Sequence, residues 1–113
     1  MMTILVVEDE SDFAESLELL LTRHGYRVIV AYDGRAGFEK AVAESPDLVL
    51  TDLMMPIMDG QELIERLRAH PATRRIPVIA MSASHQVDRA DMLRKPFEIG
   101  ELLARLRRAL RDR

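Results

Sequence analysis

The stretch LVLTDLMMPIMDG, Leu48 to Gly60, sets an apolar run against a single acid, Asp52. Leu48 to Thr51 reads as a strand covered on both faces, with the carboxylate standing at its end. Pro56 and the pair Asp59-Gly60 then turn the chain. Asp59-x-x-Glu62 has the form of a capping box, opening a helix that buries Leu63, Ile64 and Leu67 and ends before Pro71. Strand, acid, turn and helix together make one unit of a parallel α/β sheet, and the rest of the chain repeats it.

Towards the N-terminus, Thr3 to Val7 is β-branched and apolar throughout, as a central strand requires. Ser11 to His24 carries Phe13, Leu17, Leu20 and Leu21 at helical spacing, and Gly25 stops it. Arg27 to Tyr32 reads as a second strand, and Arg35 to Glu44 as a modest helix closed by Ser45-Pro46. Towards the C-terminus come a fourth strand, Pro77 to Met81, and a short fifth, Asp91 to Arg94, before Lys95-Pro96. Ile99, Leu102, Leu103, Leu106, Ala109 and Leu110 stripe a last helix. The alternation calls for one doubly wound parallel α/β domain over residues 1–113. Residues 83–90, ASHQVDRA, break the rhythm. They have no amphipathic stripe, and about eight residues reach about 26 Å extended. That returns past a strand of about 17 Å but hardly permits a full crossover helix, so the fourth crossover is expected to be a loop or a single helical turn.

Composition fits an ordinary globule, with 48% apolar and 31% charged residues. No apolar run approaches the roughly 20 residues of a membrane span, and the start MMTILVV lacks a secretory signal's basic n-region and cleavage site. The absence of cysteine excludes disulfides, thiolate catalysis and cysteine zinc sites. The expected compartment is the cytoplasm. Net charge is −3 but unevenly spread: residues 1–88 hold 8 Lys/Arg against 15 Asp/Glu, and 89–113 hold 8 against 4. A solvated basic helix face explains this better than a nucleic-acid surface, since the tail has one aromatic, Phe97, and an acidic body repels phosphates. His24, His70 and His85 lack metal-ligand spacing on a common helix face.

Ligands of open parallel sheets bind beyond the carboxyl ends of the strands. At those ends stand Glu8-Asp9-Glu10, Asp52, Ser82 and Lys95. Each has an ordinary explanation alone: a loop charge, a turn cap, a turn hydroxyl, a surface amine. Together they point to one site. Glu8, Asp9 and Asp52 would repel one another unless a cation neutralised them. A hard divalent ion keeping several waters is the natural solution, and Mg²⁺ fits better than Zn²⁺. The hydroxyl and the ammonium then suit a tetrahedral anion beside it, with a carboxylate as a candidate nucleophile.

Glu8-Asp9, Asp52 with its following MMPIMDG, Ser82-Ala83 and Lys95-Pro96-Phe97 closely resemble the receiver domain of two-component response regulators, over nearly the whole chain. The resemblance implies a flavodoxin-like sheet of five parallel strands in the order 2-1-3-4-5. It implies that Asp52 accepts a phosphoryl group from a histidine kinase or a histidine phosphotransfer protein, and that slow hydrolysis resets it. Mg²⁺ would be held by Asp9, Asp52 and the backbone carbonyl of Met54, with Glu8 assisting. Ser82 would bond the phosphoryl group, Lys95 would pair with its charge, and Pro56 and Gly60 would shape the acceptor loop. Met54 and Ser84 would influence the hydrolysis rate. Ser82, Met92 and Phe97 fall at switch and output positions.

Two departures stand out. The family usually has an aromatic three residues before the lysine, where this chain has Met92, and the interval from Ser82 to Lys95 is 13 residues, several fewer than usual. Both fall on output rather than chemistry. Apolar sheet surface is expected to be partly uncovered at 83–90, and this region and the last helix are the expected docking places for a second copy or a partner protein. No output segment follows the last helix, so the expectation is a stand-alone receiver without direct DNA binding.

Three other readings compete. A Mg²⁺-dependent phosphatase would place a second acid where Met54 stands. A flavin-binding module would need stacking aromatics and a phosphate loop, and the chain has no Trp. A degenerate receiver docking partners without phosphorylation is the remaining alternative, and the intact set of acids, Ser82 and Lys95 argues against it.

Overall fold

The computed structural model describes residues 1–84 and 92–112. Five strands, β1 (Thr3–Val7), β2 (Arg27–Ala31), β3 (Leu48–Asp52), β4 (Val78–Ser82) and β5 (Met92–Arg94), form a single sheet. All neighbours pair parallel, in the order β2-β1-β3-β4-β5. The helices among the described residues are α1 (Ser11–Arg23), α2 (Gly34–Glu44), α3 (Gly60–Ala69) and α4 (Ile99–Arg111).

Strand periodicity sorts the core into two layers. Ile4, Val6, Leu48, Leu50, Ile79, Met81 and Leu93 face α1 and α4, which contribute Leu17, Leu21, Leu102, Leu103 and Leu106. Their neighbours Leu5, Val7 and Val49 turn the other way, onto Ala41 of α2 and Leu63 and Leu67 of α3. Residues next to one another in a central strand are therefore both buried, which explains the unbroken apolar runs of β1 and β3.

The helix ends follow local chemistry. Gly25, at φ 92°, closes α1: its amide donates to Thr22 and that of Tyr26 to Leu21, both at 3.1 Å. The Asp33 side chain caps α2 by accepting from the Ala36 amide at 2.8 Å. Asp59 likewise caps α3, accepting from the Glu62 amide at 2.9 Å. The reciprocal half of the expected capping box is replaced, because the Glu62 carboxylate pairs with Arg66 one turn on, at 3.1 Å.

Strand ends shift by a residue from the sequence expectation. Pro77 has no amide to give, so β4 begins at Val78 and runs on to Ser82, which sits in register with Arg94. β3 continues through Asp52, in register with Met81, so the acid belongs to the strand rather than to the loop.

Residues 85–91 lie outside the described residues, and with them falls the expectation of a loop or single turn over 83–90, together with the position of His85. Ala80 and Met92, on β4 and β5, are buried with Leu53 and Ile64.

Candidate functional site

β1, β3 and β4 are adjacent and parallel, so their C-terminal ends deliver their residues to one rim. Glu8 follows directly on β1, where its amide still donates to the Ala31 carbonyl of β2 at 3.0 Å. That bond holds the residue in line with the strand, and its side chain is fully buried. Asp9, one residue on, is exposed. Asp52 closes β3 and is nearly buried. Glu8, Asp9 and Asp52 can each aim one carboxylate oxygen so that all three lie within 4.8 Å of one another.

Lys95 supplies the opposing charge. Its amide donates to the Ser82 carbonyl at 2.9 Å, prolonging the β4–β5 ladder and fixing where its side chain departs. The Nζ donates to Glu8 Oε1 at 2.7 Å and stands 3.7 Å from Asp52 Oδ2. It also lies over the ring of Phe13, 4.4 Å from the centroid. Ser82 is buried at the end of β4, one residue beyond the register partner of Asp52, and its Oγ accepts from the Ser84 amide at 3.0 Å.

Burial pushes the Glu8 carboxyl above its ordinary value of 4.5, against the hydrogen bonds from Lys95 and from the Glu10 amide. Burial also raises Asp52 above 3.8, opposed chiefly by the Lys95 charge and the Met54 amide and reinforced by Asp9. The acids thus remain partly frustrated with one ammonium between them. Oxygen donors only, one of them exposed, form the kind of set that takes a hard divalent cation retaining waters.

The loop after Asp52 is shaped by close approach. A Cβ on Gly60 would meet the Asp52 carbonyl and the Leu53 Cα, so only glycine lets α3 begin against the acid. The Gly60 amide donates to the Leu53 carbonyl at 3.1 Å, tying the far end of the loop to its start. Met54 projects into solvent.

Of the residues singled out in the sequence, Glu8, Asp9, Asp52 and Lys95 are brought together and Ser82 stands beside them. Met92 and Phe97 are not part of that cluster. Met92 is buried in the small core by Leu53 and Ile64, and Phe97 packs edge-on against Phe13 with centroids 6.1 Å apart. Sequence reasoning missed Phe13 as a neighbour of the site, because its helical spacing marked it only as core. Its place in the first turn of the helix that follows the acidic loop was the available signal.

The response regulator receiver domain family matches residues 4–107. The response regulator ArlR of Staphylococcus haemolyticus is 42% identical over 98% of this chain, and its Staphylococcus aureus counterpart 41%. Both alignments cover 53% of the relative, so the chain spans about half the length of these proteins. Among solved structures, the receiver domain of a Pseudomonas aeruginosa sensor histidine kinase, described with a magnesium ion coordinated in its active-site cleft, superposes with a TM-score of 0.88 at 32% identity. That match covers 96% of this chain and 97% of the other. The receiver domain of a signal transduction histidine kinase from Syntrophus aciditrophicus gives 0.90 at 30% identity, covering 99% and 92%.

Proposed function

The chain belongs to the response regulator receiver domain family, phosphoacceptor proteins of two-component signalling, and from that premise we propose that Asp52 is its phosphoacceptor. The observation that carries this is the convergence of Glu8, Asp9 and Asp52 within 4.8 Å, with Lys95 Nζ 3.7 Å from Asp52. The family match leaves only short ends, which supports reading residues 1–113 as one receiver domain.

The donor set fits Mg²⁺: hard oxygens on three side chains, too close to coexist as free anions. Asp9, Asp52 and the Met54 carbonyl would hold the ion, with Glu8 assisting. When bound it neutralises the acids and the equatorial oxygens of the group being transferred.

The remaining work falls to this chain's own side chains. A carboxylate oxygen of Asp52 bonds to phosphorus as the bond from phosphorus to the donor breaks, and the donor leaves with that electron pair. For a phosphohistidine the departing atom is a ring nitrogen; for acetyl phosphate it is a carboxylate oxygen. Lys95 supplies its positive charge to the phosphoryl oxygens, a short move from its present 3.7 Å. Ser82, rigidly placed at the end of β4, donates its hydroxyl to another of those oxygens. The donor is a histidine kinase or a histidine phosphotransfer protein, and the compartment the cytoplasm. Among the described residues no helix is long and apolar enough to cross a membrane.

Incubation with Mg²⁺ and acetyl phosphate, followed by intact-mass measurement, tests the assignment. The expected result is one labile phosphate that disappears in Asp52→Asn. Equal labelling of that variant would remove Asp52 from the role.

A further inference from the structure

Lys95 is held by more than acids. Its ammonium lies 4.4 Å from the Phe13 ring centroid, while donating to Glu8 at 2.7 Å. Phe13 is itself fixed: it sits in the first turns of α1, partly buried, with the Phe97 ring edge against it at 71°. Lys95 also borders a cavity of about 270 Å³, which it shares with Phe13, Ala83, Pro96 and Phe97. Packing alone therefore leaves a long, flexible side chain room to carry its charge away from the acids.

We propose that Phe13 is a positioning residue for Lys95, its ring face holding the ammonium at the acidic rim so that it is in place when a phosphoryl group arrives. The inference rests on the phosphoacceptor reading and adds a member that touches neither phosphate nor metal. A ring face suits the task better than a fourth carboxylate would. Its attraction for a cation is broad and has no fixed donor direction, so Nζ can slide from Glu8 towards a phosphoryl oxygen without breaking a directed bond. A neutral ring also adds no negative charge to a rim that already has three acids.

Fluorinated phenylalanines at position 13 test this, because successive fluorines weaken the ring's attraction for cations with little change of shape. The mono-, di- and trifluoro series should slow acetyl-phosphate labelling of Asp52 stepwise, by about threefold to tenfold overall, with thermal midpoints unchanged. Phe13→Leu should fall at the slow end and Phe13→Tyr near the native rate. The Lys95 Hε resonances should lie upfield in the native chain, under the ring's influence, and move downfield in Phe13→Leu. A flat fluorine series, or Hε resonances indifferent to Phe13→Leu, would overturn the proposal while leaving Asp52 labelling intact. No Asp52-dependent adduct in the native chain would instead sink the phosphoacceptor reading and the positioning role with it.

Discussion

Lys95 Nζ bonds Glu8 Oε1 at 2.7 Å and stands off Asp52 Oδ2 at 3.7 Å, so the ammonium favours the fully buried acid over the candidate acceptor. Among the described residues, this lysine pairs with both buried carboxylates. Its side chain is 15% exposed, so the pair is largely desolvated. Lys95→Met should therefore destabilise the metal-free protein, but by less than the about 3–5 kcal/mol usual when a buried pair is broken, because a proton on Glu8 partly replaces the amine. Millimolar Mg²⁺ should recover most of the loss. Urea unfolding in EDTA and in Mg²⁺ measures both, and an EDTA midpoint equal to the native one would refute the argument.

The acids also set a pH dependence. Glu8 and Asp52 titrate above 4.5 and 3.8 in the folded chain, burial being the main cause for each. Between the unfolded and folded values the native state binds more protons, so these two groups make stability fall as pH rises through that window. In EDTA, acidifying from neutrality should first stabilise the protein, before its other carboxylates protonate. Asp52→Asn removes one of the two groups, so it should be more stable than the native chain at neutral pH and show a flatter profile. Thermal midpoints across a pH series check this; a native midpoint that only falls on acidification would contradict it. Mg²⁺ competes with those protons, and in its presence the initial rise should vanish.

What the sequence made legible follows from what each feature depends on. Strand identity and the two-layer core came through because β1 and β3 bury every apolar position, leaving unbroken β-branched and aliphatic runs. The site came through because a parallel sheet carries all strand ends to one rim, so Glu8, Asp52, Ser82 and Lys95 needed only their places at strand ends. The Phe13–Lys95 contact was hidden, since it depends on how α1 crosses the sheet relative to β5, which no local periodicity encodes. The pairing of Lys95 with Glu8 rather than Asp52 was equally out of reach, being settled by differences of about 1 Å. Glu62 shows a local competition: a capping-box residue on paper, it is taken by Arg66 at i+4.

Gly60 is the position where backbone spacing and acceptor chemistry meet. A methyl there would press on the Asp52 carbonyl and the Leu53 Cα, neither of which can rotate aside. Gly60→Ala should cost about 1–3 kcal/mol of stability, the range for overpacking, and should slow Asp52 labelling as the acid is displaced from the rim. Gly100 offers the control: nothing lies within 4 Å of a Cβ built there, and it is in a helix. Gly100→Ala should be neutral or stabilising, with labelling unchanged, by the same urea and mass measurements.

Ile57 should yield stability when simplified. Its φ is 71°, a left-handed value that a β-branched residue rarely adopts, and it is 74% exposed, so little packing returns the cost. The turn around it is forced from both ends. The Met58 amide donates to the Pro56 carbonyl at 2.8 Å across Ile57, and Met58 is locked because its side chain is buried and its carbonyl abuts Gly34. Ile57→Gly removes the clash between Cβ and the following carbonyl, a gain of about 1–2 kcal/mol, offset by about 0.4–1 kcal/mol from the freer unfolded chain. The net should be a small rise in the urea midpoint, with Asp52 labelling near the native rate. Ile57→Val, which keeps the branch and the strain, should show no such rise. A fall in the midpoint for Ile57→Gly would mean that the exposed side chain contributes more to the loop than its surroundings suggest.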